Sequence, residues 1–346
     1  MFINFLVCSL IIAFLILFGQ RISKRHDEDL TAVQVTHKKQ TIRLGGVAII
    51  FGISPILFYS EILGIQALIF LSVLPVFIVG LFEDIRGNVS AKIRFFGASL
   101  SALFAISLTD TYLTNIDFWP IDNLLMIPVF GIVFTIFASA GIANSFNLID
   151  GINGFSSLIA LVISISLGYV CNIYGEPVLA YFCYVISIAL IPFIITNFPF
   201  GLIFLGDAGA YSIGHLLCWI AIVLISVKPE LSAWSILLMF FWPVTDTLFT
   251  IVRRLLSRAP SGAPDNLHYH HLVMKFVELL FPEKNFLKKW ANPITTVILL
   301  PFAIFPIRLS IFVIRDTFWA MPIYLAYVFS YVFVYIALVV KLKKIA

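Results

Sequence analysis

Long apolar runs, scarcely interrupted by charge, govern what this chain can fold into. They lie near residues 2–19, 44–60, 62–82, 93–109, 123–143, 155–173, 177–196, 209–226, 233–252, 293–308 and 318–340. A helix crosses the hydrocarbon of a bilayer with about 20 apolar residues, in a range of roughly 17–25. The pattern therefore predicts about eleven spans. The runs are continuous rather than alternating, which points to helices and away from a β-barrel. Only 12% of the 346 residues are charged, against roughly 25% in a soluble domain. A water-soluble globule is excluded, and the expected class is an all-α polytopic membrane protein.

With eleven spans, alternate connections fall on opposite sides. One set, built from 20–43, 83–92 with the start of the next span, 253–292 and the tail 341–346, holds 19 lysines and arginines. The other set holds three: Lys228, Arg308 and Arg315. Lys and Arg are retained on the cytoplasmic side. The first set is thus expected in the cytoplasm, which puts the N-terminus in the periplasm and the C-terminus in the cytoplasm. The run from Phe2 to Phe18 has no basic segment before it and Arg21, Lys24 and Arg25 after it. That order predicts a retained first span rather than a cleaved signal. Cys8, Cys171, Cys183 and Cys218 all sit within apolar runs without metal-ligand spacing, as small buried hydrophobes do.

The polar residues concentrate in the connections expected on the cytoplasmic side. Glu83-Asp84 ends the third run, followed by Arg86 and Lys92. Asn144, Asn147 and Asp150-Gly151 join the fifth and sixth runs, with Asn197 and Phe204-Leu-Gly-Asp207-Ala-Gly209 before the eighth. Asp265-Asn-Leu-His268-Tyr-His270-His271 lies in the long connection after the ninth. The segments 144–154 and 197–209 carry carboxylates and neither lysine nor arginine. Carboxylates at a membrane face are costly unless a cation joins them. Hard oxygen ligands favour Mg²⁺, with Mn²⁺ as the alternative, bridging a few carboxylates to substrate phosphates. Histidines supply donors suited to phosphate oxygens, and glycines beside Asp150 and Asp207 let backbone approach a ligand. The set suits metal-assisted phosphoryl transfer.

These motifs resemble those of the polyprenyl-phosphate N-acetylhexosamine-1-phosphate transferases, in order from the first cytoplasmic loop to about His271. Glu83-Asp84 after Gly80 stands where the family has an aspartate pair, with Glu replacing one Asp. Asn147-Leu-Ile-Asp150-Gly151 is similar to the nucleotide-side motif, and Phe204 to Gly209 to the segment whose aspartate ligates Mg²⁺. His268-x-His270-His271 resembles the histidine motif, with Asn266 where arginine is frequent. His37-Lys38-Lys39-Gln-Thr41 before Gly45-Gly46 resembles the first-loop motif, with Ile42 in place of a common proline.

The resemblance implies a single integral-membrane transferase domain in the bacterial inner membrane, its site facing the cytoplasm. It implies transfer of a sugar 1-phosphate from a UDP-N-acetylhexosamine to undecaprenyl phosphate, releasing UMP. Asp207, with Asp84, would hold the metal. Asp84 and Glu83 would orient or deprotonate the lipid phosphate. Asn147, Asp150, Asn197 and Phe204 would line the nucleotide site. Lys92, His37, His268, His270 and His271 would neutralise phosphate charge.

Other readings compete. Paired histidines raise zinc, but no cysteine partners them. Asp246, inside the ninth run and two turns before Arg253-Arg254, reads as half of an internal ion pair. Asn115, Asp117 and Asp122 read as ordinary exterior loop. A transporter or flippase would place polar groups at the bilayer midplane, whereas here only Asp246 lies well inside a run. The peptidoglycan-initiating phospho-N-acetylmuramoyl-pentapeptide transferase is the alternative within the family. Nucleic acid is not an expected partner. The donor sugar and the oligomeric state, a homodimer included, stay open.

Overall fold

The computed structural model describes residues 1–18, 41–58, 64–257, 267–280 and 290–345, and among them it is all helix apart from connecting turns. The helices are α1 (Phe2–Phe18), α2 (Gly45–Ile53, continued by a 3₁₀ turn Ser54–Phe58), α3 (Ile65–Ser72), α4 (Leu74–Arg86) and α5 (Ala91–Thr109). They continue with α6 (Trp119–Leu125), α7 (Pro128–Leu148), α8 (Phe155–Ile173), α9 (Pro177–Asn197) and α10 (Gly206–Val227). The remainder are α11 (Ala233–Met239), α12 (Phe241–Leu256), α13 (Tyr269–Leu280), α14 (Ala291–Phe312) and α15 (Thr317–Ile345).

Among the described residues, eight helices are long and apolar enough to cross a bilayer, with α3 and α4 acting as one. The chain is an all-α polytopic membrane protein. α1 and α2 with its 3₁₀ turn are apolar but shorter. The fifth run begins later than its hydropathy predicts, because Pro128 opens α7 near its first position, where a missing N–H costs nothing.

The ninth run is not one straight helix, as the hydropathy predicts, but two, α11 and α12, bent by 85°. Pro243 accounts for the break. Its absent N–H would have bonded the carbonyl of Met239, the residue at which α11 ends, and its ring would clash there. Placed in the first turn of α12 instead, the proline is harmless.

α10 is the axis of the molecule. It packs against α2, α4, α5, α7, α8 and α9, and 83% of its apolar stretch is buried. A helix that is apolar all round belongs inside a bundle. Close approach is set by small residues: a side chain at Gly46 would overlap the backbone of Gly209, and one at Gly80 the backbone of Ala208. The outer α15 is its opposite, with 17% of its stretch buried.

Asp117 shows how the far end of the bundle is closed. Its Oδ2 accepts the Ala233 N–H that opens α11 and the Thr317 hydroxyl that opens α15, each at 2.8 Å. The Ser232 hydroxyl lies 2.8 Å from the same Thr317 Oγ1. The exterior-loop reading of Asp117 is thus corrected: one carboxylate ties three elements distant in sequence. Asp117→Ala should lower the thermal midpoint of the detergent-solubilised protein by an amount worth about 1–3 kcal/mol. Any activity at the opposite end should persist below that midpoint.

Candidate active site

The last turn of α4 brings Asp84 to the start of α10. Its Oδ1 accepts the Asp207 N–H at 2.8 Å and its Oδ2 the Ala208 N–H at 2.9 Å. The first N–H groups of a helix have no acceptor within it, and Leu205, which precedes α10, provides no side-chain cap. Asp84, 1% exposed, supplies the cap from another helix. Gly206 permits the approach, with φ at 74° and no Cβ to overlap the Arg43 carbonyl and the Asp84 carboxylate.

Asp207 itself faces α5. Ser90 caps that helix by accepting the Ile93 N–H at 3.4 Å, and one residue further Arg94 forms an ion pair with Asp207. The two side chains are 21% and 7% exposed, so the pair is largely shielded from water. Glu83 Oε2 accepts the Val89 N–H at 2.7 Å and closes the α4–α5 turn, with its charge near enough to Arg94 to act on it. Arg94 is a residue that sequence reasoning missed, counting it only as loop charge and choosing Lys92 instead. Two residues along a helix is a rotation of about 200°. With Arg94 aimed at Asp207, Lys92 points away and is exposed.

The two remaining connections are tied to this centre. The segments 42–46 and 203–206 run side by side: Phe204 donates to the Ile42 carbonyl at 2.8 Å, and Gly45 donates to the Phe204 carbonyl at 2.9 Å. Asn197 links the loop after α7 to the one after α9. Its amide donates to the Ile203 carbonyl at 2.8 Å and its Oδ1 accepts the Gly154 N–H at 2.5 Å. Both its polar ends thereby serve backbone. Asn147 ends α7 one turn after Asn144, which accepts the Tyr211 hydroxyl at 2.8 Å. Asp150 lies in the following turn with part of the residue exposed and its carboxyl enclosed. Desolvation pushes that carboxyl well above the ordinary carboxylate range, Asp207 and Asp84 add repulsion, and Arg43 opposes them.

The histidine segment reaches the same end. A side chain at Gly151 would overlap the ring of His270, so that ring packs on Gly151, the residue after Asp150. Burial, and after it His271 and His268, pushes His270 well below the usual histidine range. His268 stacks on the His270 ring with centroids 5.6 Å apart and planes 17° from parallel. The Nδ1 of His268 lies 3.2 Å from Asp246 Oδ2. The ion pair expected of Asp246 therefore has a histidine as a partner. His37 lies outside the described residues, as do Asp265 and Asn266.

Three carboxylates (Asp84, Asp150, Asp207), two guanidiniums (Arg43, Arg94) and the histidine segment thus gather at one end of the bundle. Among the described residues no group of three His, Cys, Asp or Glu side chains closes around a metal-sized point. Such a set suits a hard ion that takes one or two carboxylates and fills its shell with water and phosphate oxygens, as Mg²⁺ does. Asp207 and Asp150 fit that part better than Asp84, whose two oxygens already hold the start of α10.

Comparison with known proteins meets this geometry. Residues 66–225 match glycosyl transferase family 4, a stretch that contains Asp84, Arg94, Asp150 and Asp207 and stops before Asp246 and the histidines. The undecaprenyl-phosphate alpha-N-acetylglucosaminyl 1-phosphate transferase of Yersinia pestis is 30% identical over 210 residues, 57% of this chain and 55% of the relative. The protein of the same description in Escherichia coli K12 is 28% identical over 211 residues, again 57% and 55%. The match thus spans little more than half the length of these two relatives. The stretch that is similar to glycosyl transferase family 4 thus carries Asp84, Arg94, Asp150 and Asp207 of the site, while Arg43 and the histidines lie outside it.

Proposed function

We propose that the protein transfers an N-acetylhexosamine 1-phosphate from its UDP-sugar to undecaprenyl phosphate and releases UMP. The observation that carries the reading is the shielded Asp207–Arg94 pair at the head of α10, with Asp84 and Asp150 beside it. The names of the relatives support the sugar phosphate and the lipid acceptor. We place the site at the cytoplasmic face of the inner membrane, where the basic connections are expected. The pathway served is the start of O-antigen or another cell-surface polysaccharide.

In this reaction an oxygen of the lipid phosphate forms a bond to the β-phosphorus. The bond from that phosphorus to the bridging oxygen breaks, and UMP leaves with that oxygen. The acceptor phosphate is already largely ionised at neutral pH, so the step does not require a strong base. Asp207 and Asp150 would hold Mg²⁺, which would supply charge neutralisation on the diphosphate. Arg94 and Arg43 offer fixed cations to phosphate oxygens, and such preorganised charge is worth most where water is excluded. Asp84 acts by fixing the backbone that carries Asp207. Asn147 and Phe204 lie where the uracil and ribose would rest. Lys92, exposed on the outer side of α5, is suited to the lipid phosphate as it arrives from the membrane.

Purified protein with Mg²⁺, undecaprenyl phosphate and a panel of UDP-N-acetylhexosamines should release UMP with at least one donor, and chelation should stop it. Release only with the UDP-muramyl-pentapeptide would move the protein to peptidoglycan initiation. Substrate uptake into proteoliposomes without UMP would replace the enzyme by a transporter.

A further inference from the structure

Asp246 is 1% exposed on α12, beneath the histidine segment and outside the stretch that matches the family. Both of its oxygens are engaged: Oδ2 lies 3.2 Å from His268 Nδ1, and Oδ1 accepts the Tyr331 hydroxyl at 2.5 Å. Thr250, one turn further along α12, places its hydroxyl 3.5 Å from the same Nδ1. Tyr335, one turn after Tyr331 on α15, donates to the Leu267 carbonyl at 2.9 Å and pins the backbone next to His268. Three elements distant in sequence thus converge on one imidazole. A buried carboxylate is costly unless it is paired and hydrogen-bonded, and here it is both. The bond made by one ring nitrogen sets the tautomer and the direction of the other. The stacked His270, packed on Gly151, fixes the ring plane from the side of Asp150.

We propose that Asp246, steered by Tyr331, is a positioning residue that accepts the Nδ1–H of His268 and thereby presents its Nε2 to the phosphates at the Asp150 end of the site. The proposal rests on the transferase reading for its substrate, but not for its geometry. Asp246 makes and breaks no bond. It orients the ring, and it stabilises the imidazolium whenever Nε2 also carries a proton, adding a cation where the departing phosphate gains charge. The groups facing His268 are Asp246 and Thr250 from α12, His270 and His271 from α13, and Tyr331 with Tyr335 from α15.

The test uses the full chain in nanodiscs with ¹⁵N-labelled histidine, read by NMR alongside UMP release. His268 should be protonated at Nδ1 in its neutral form. Asp246→Asn should raise the share of the Nε2–H tautomer, because an amide can donate to Nδ1 where a carboxylate only accepts. Tyr331→Phe, which keeps the ring packing but frees Asp246 Oδ1, should loosen the same tautomer preference by less. In the assay, Asp246→Asn should lower kcat by about 10²-fold with KM nearly unchanged. The double variant with His268→Gln should be no slower than His268→Gln alone. A neutral wild-type His268 protonated at Nε2, a tautomer ratio unmoved in both variants, or penalties that multiply would overturn the proposal. A wild-type protein with the expected NMR signature that releases no UMP from any donor would overturn the transferase reading and leave the positioning intact.

Discussion

Asp207→Asn should reduce UMP release by about 10³-fold or more, the scale on which loss of one fixed electrostatic group acts at a phosphoryl or acyl centre. The amide occupies the same volume, and the backbone N–H that Asp84 accepts is unchanged by the substitution. What disappears is the negative charge that pairs with Arg94 and that would hold a divalent ion. Arg94 keeps partial access to water at 21% exposure, so its lost partner should cost the fold little. The protein should therefore be expressed, remain in the membrane and melt close to the wild type. UMP release from solubilised membranes, compared at equal protein, decides the matter. Retention of a tenth of the wild-type rate would remove Asp207 from the metal site.

Asp84→Ala should fail differently, losing activity and stability together. Its two oxygens satisfy two adjacent N–H groups in a place that water does not reach. An unsatisfied buried donor costs about 1–3 kcal/mol, so truncation should destabilise the fold by several kcal/mol and let the head of α10 shift. Asp84→Asn offers no rescue, because its amide nitrogen would meet one of those N–H groups as a second donor. A melting curve beside a UMP assay separates the two aspartates. An Asp84→Ala protein that melts like the wild type but is inactive would make Asp84 a participant in the chemistry rather than the support of Asp207.

The membrane class was readable because a hydrocarbon solvent imposes runs of apolar residues whatever the tertiary packing. The positions of the polar motifs were readable for a related reason, since little else in such a chain carries charge. Packing partners were another matter. Asn197 looks like a nucleotide contact by its place in the sequence, yet its amide bridges two loops whose pairing needs coordinates to see. Asp246 and Tyr331 are 85 residues apart, and no periodicity links them. Pro243 did carry a signal for the bend in the ninth run, but hydropathy averages over a single proline. Arg94 could have been distinguished from Lys92 only by knowing which face of α5 meets α10.

The burial of α10 has a bearing on how a transferase of the proposed kind would acquire new donors. The helix that carries Asp207 has little freedom to vary, because any enlargement along it displaces a neighbour and with it the reacting centre. Sugar preference must then be altered from the rim, by exchanging residues in the short pieces around 41–46, 149–154 and 267–271 that reach inward. A saturation scan should find an intolerant shaft and, in the collar, the same intolerance at Gly46, Gly151, Gly154, Asp150 and His268; variants that accept a different hexosamine should come from the collar positions between them.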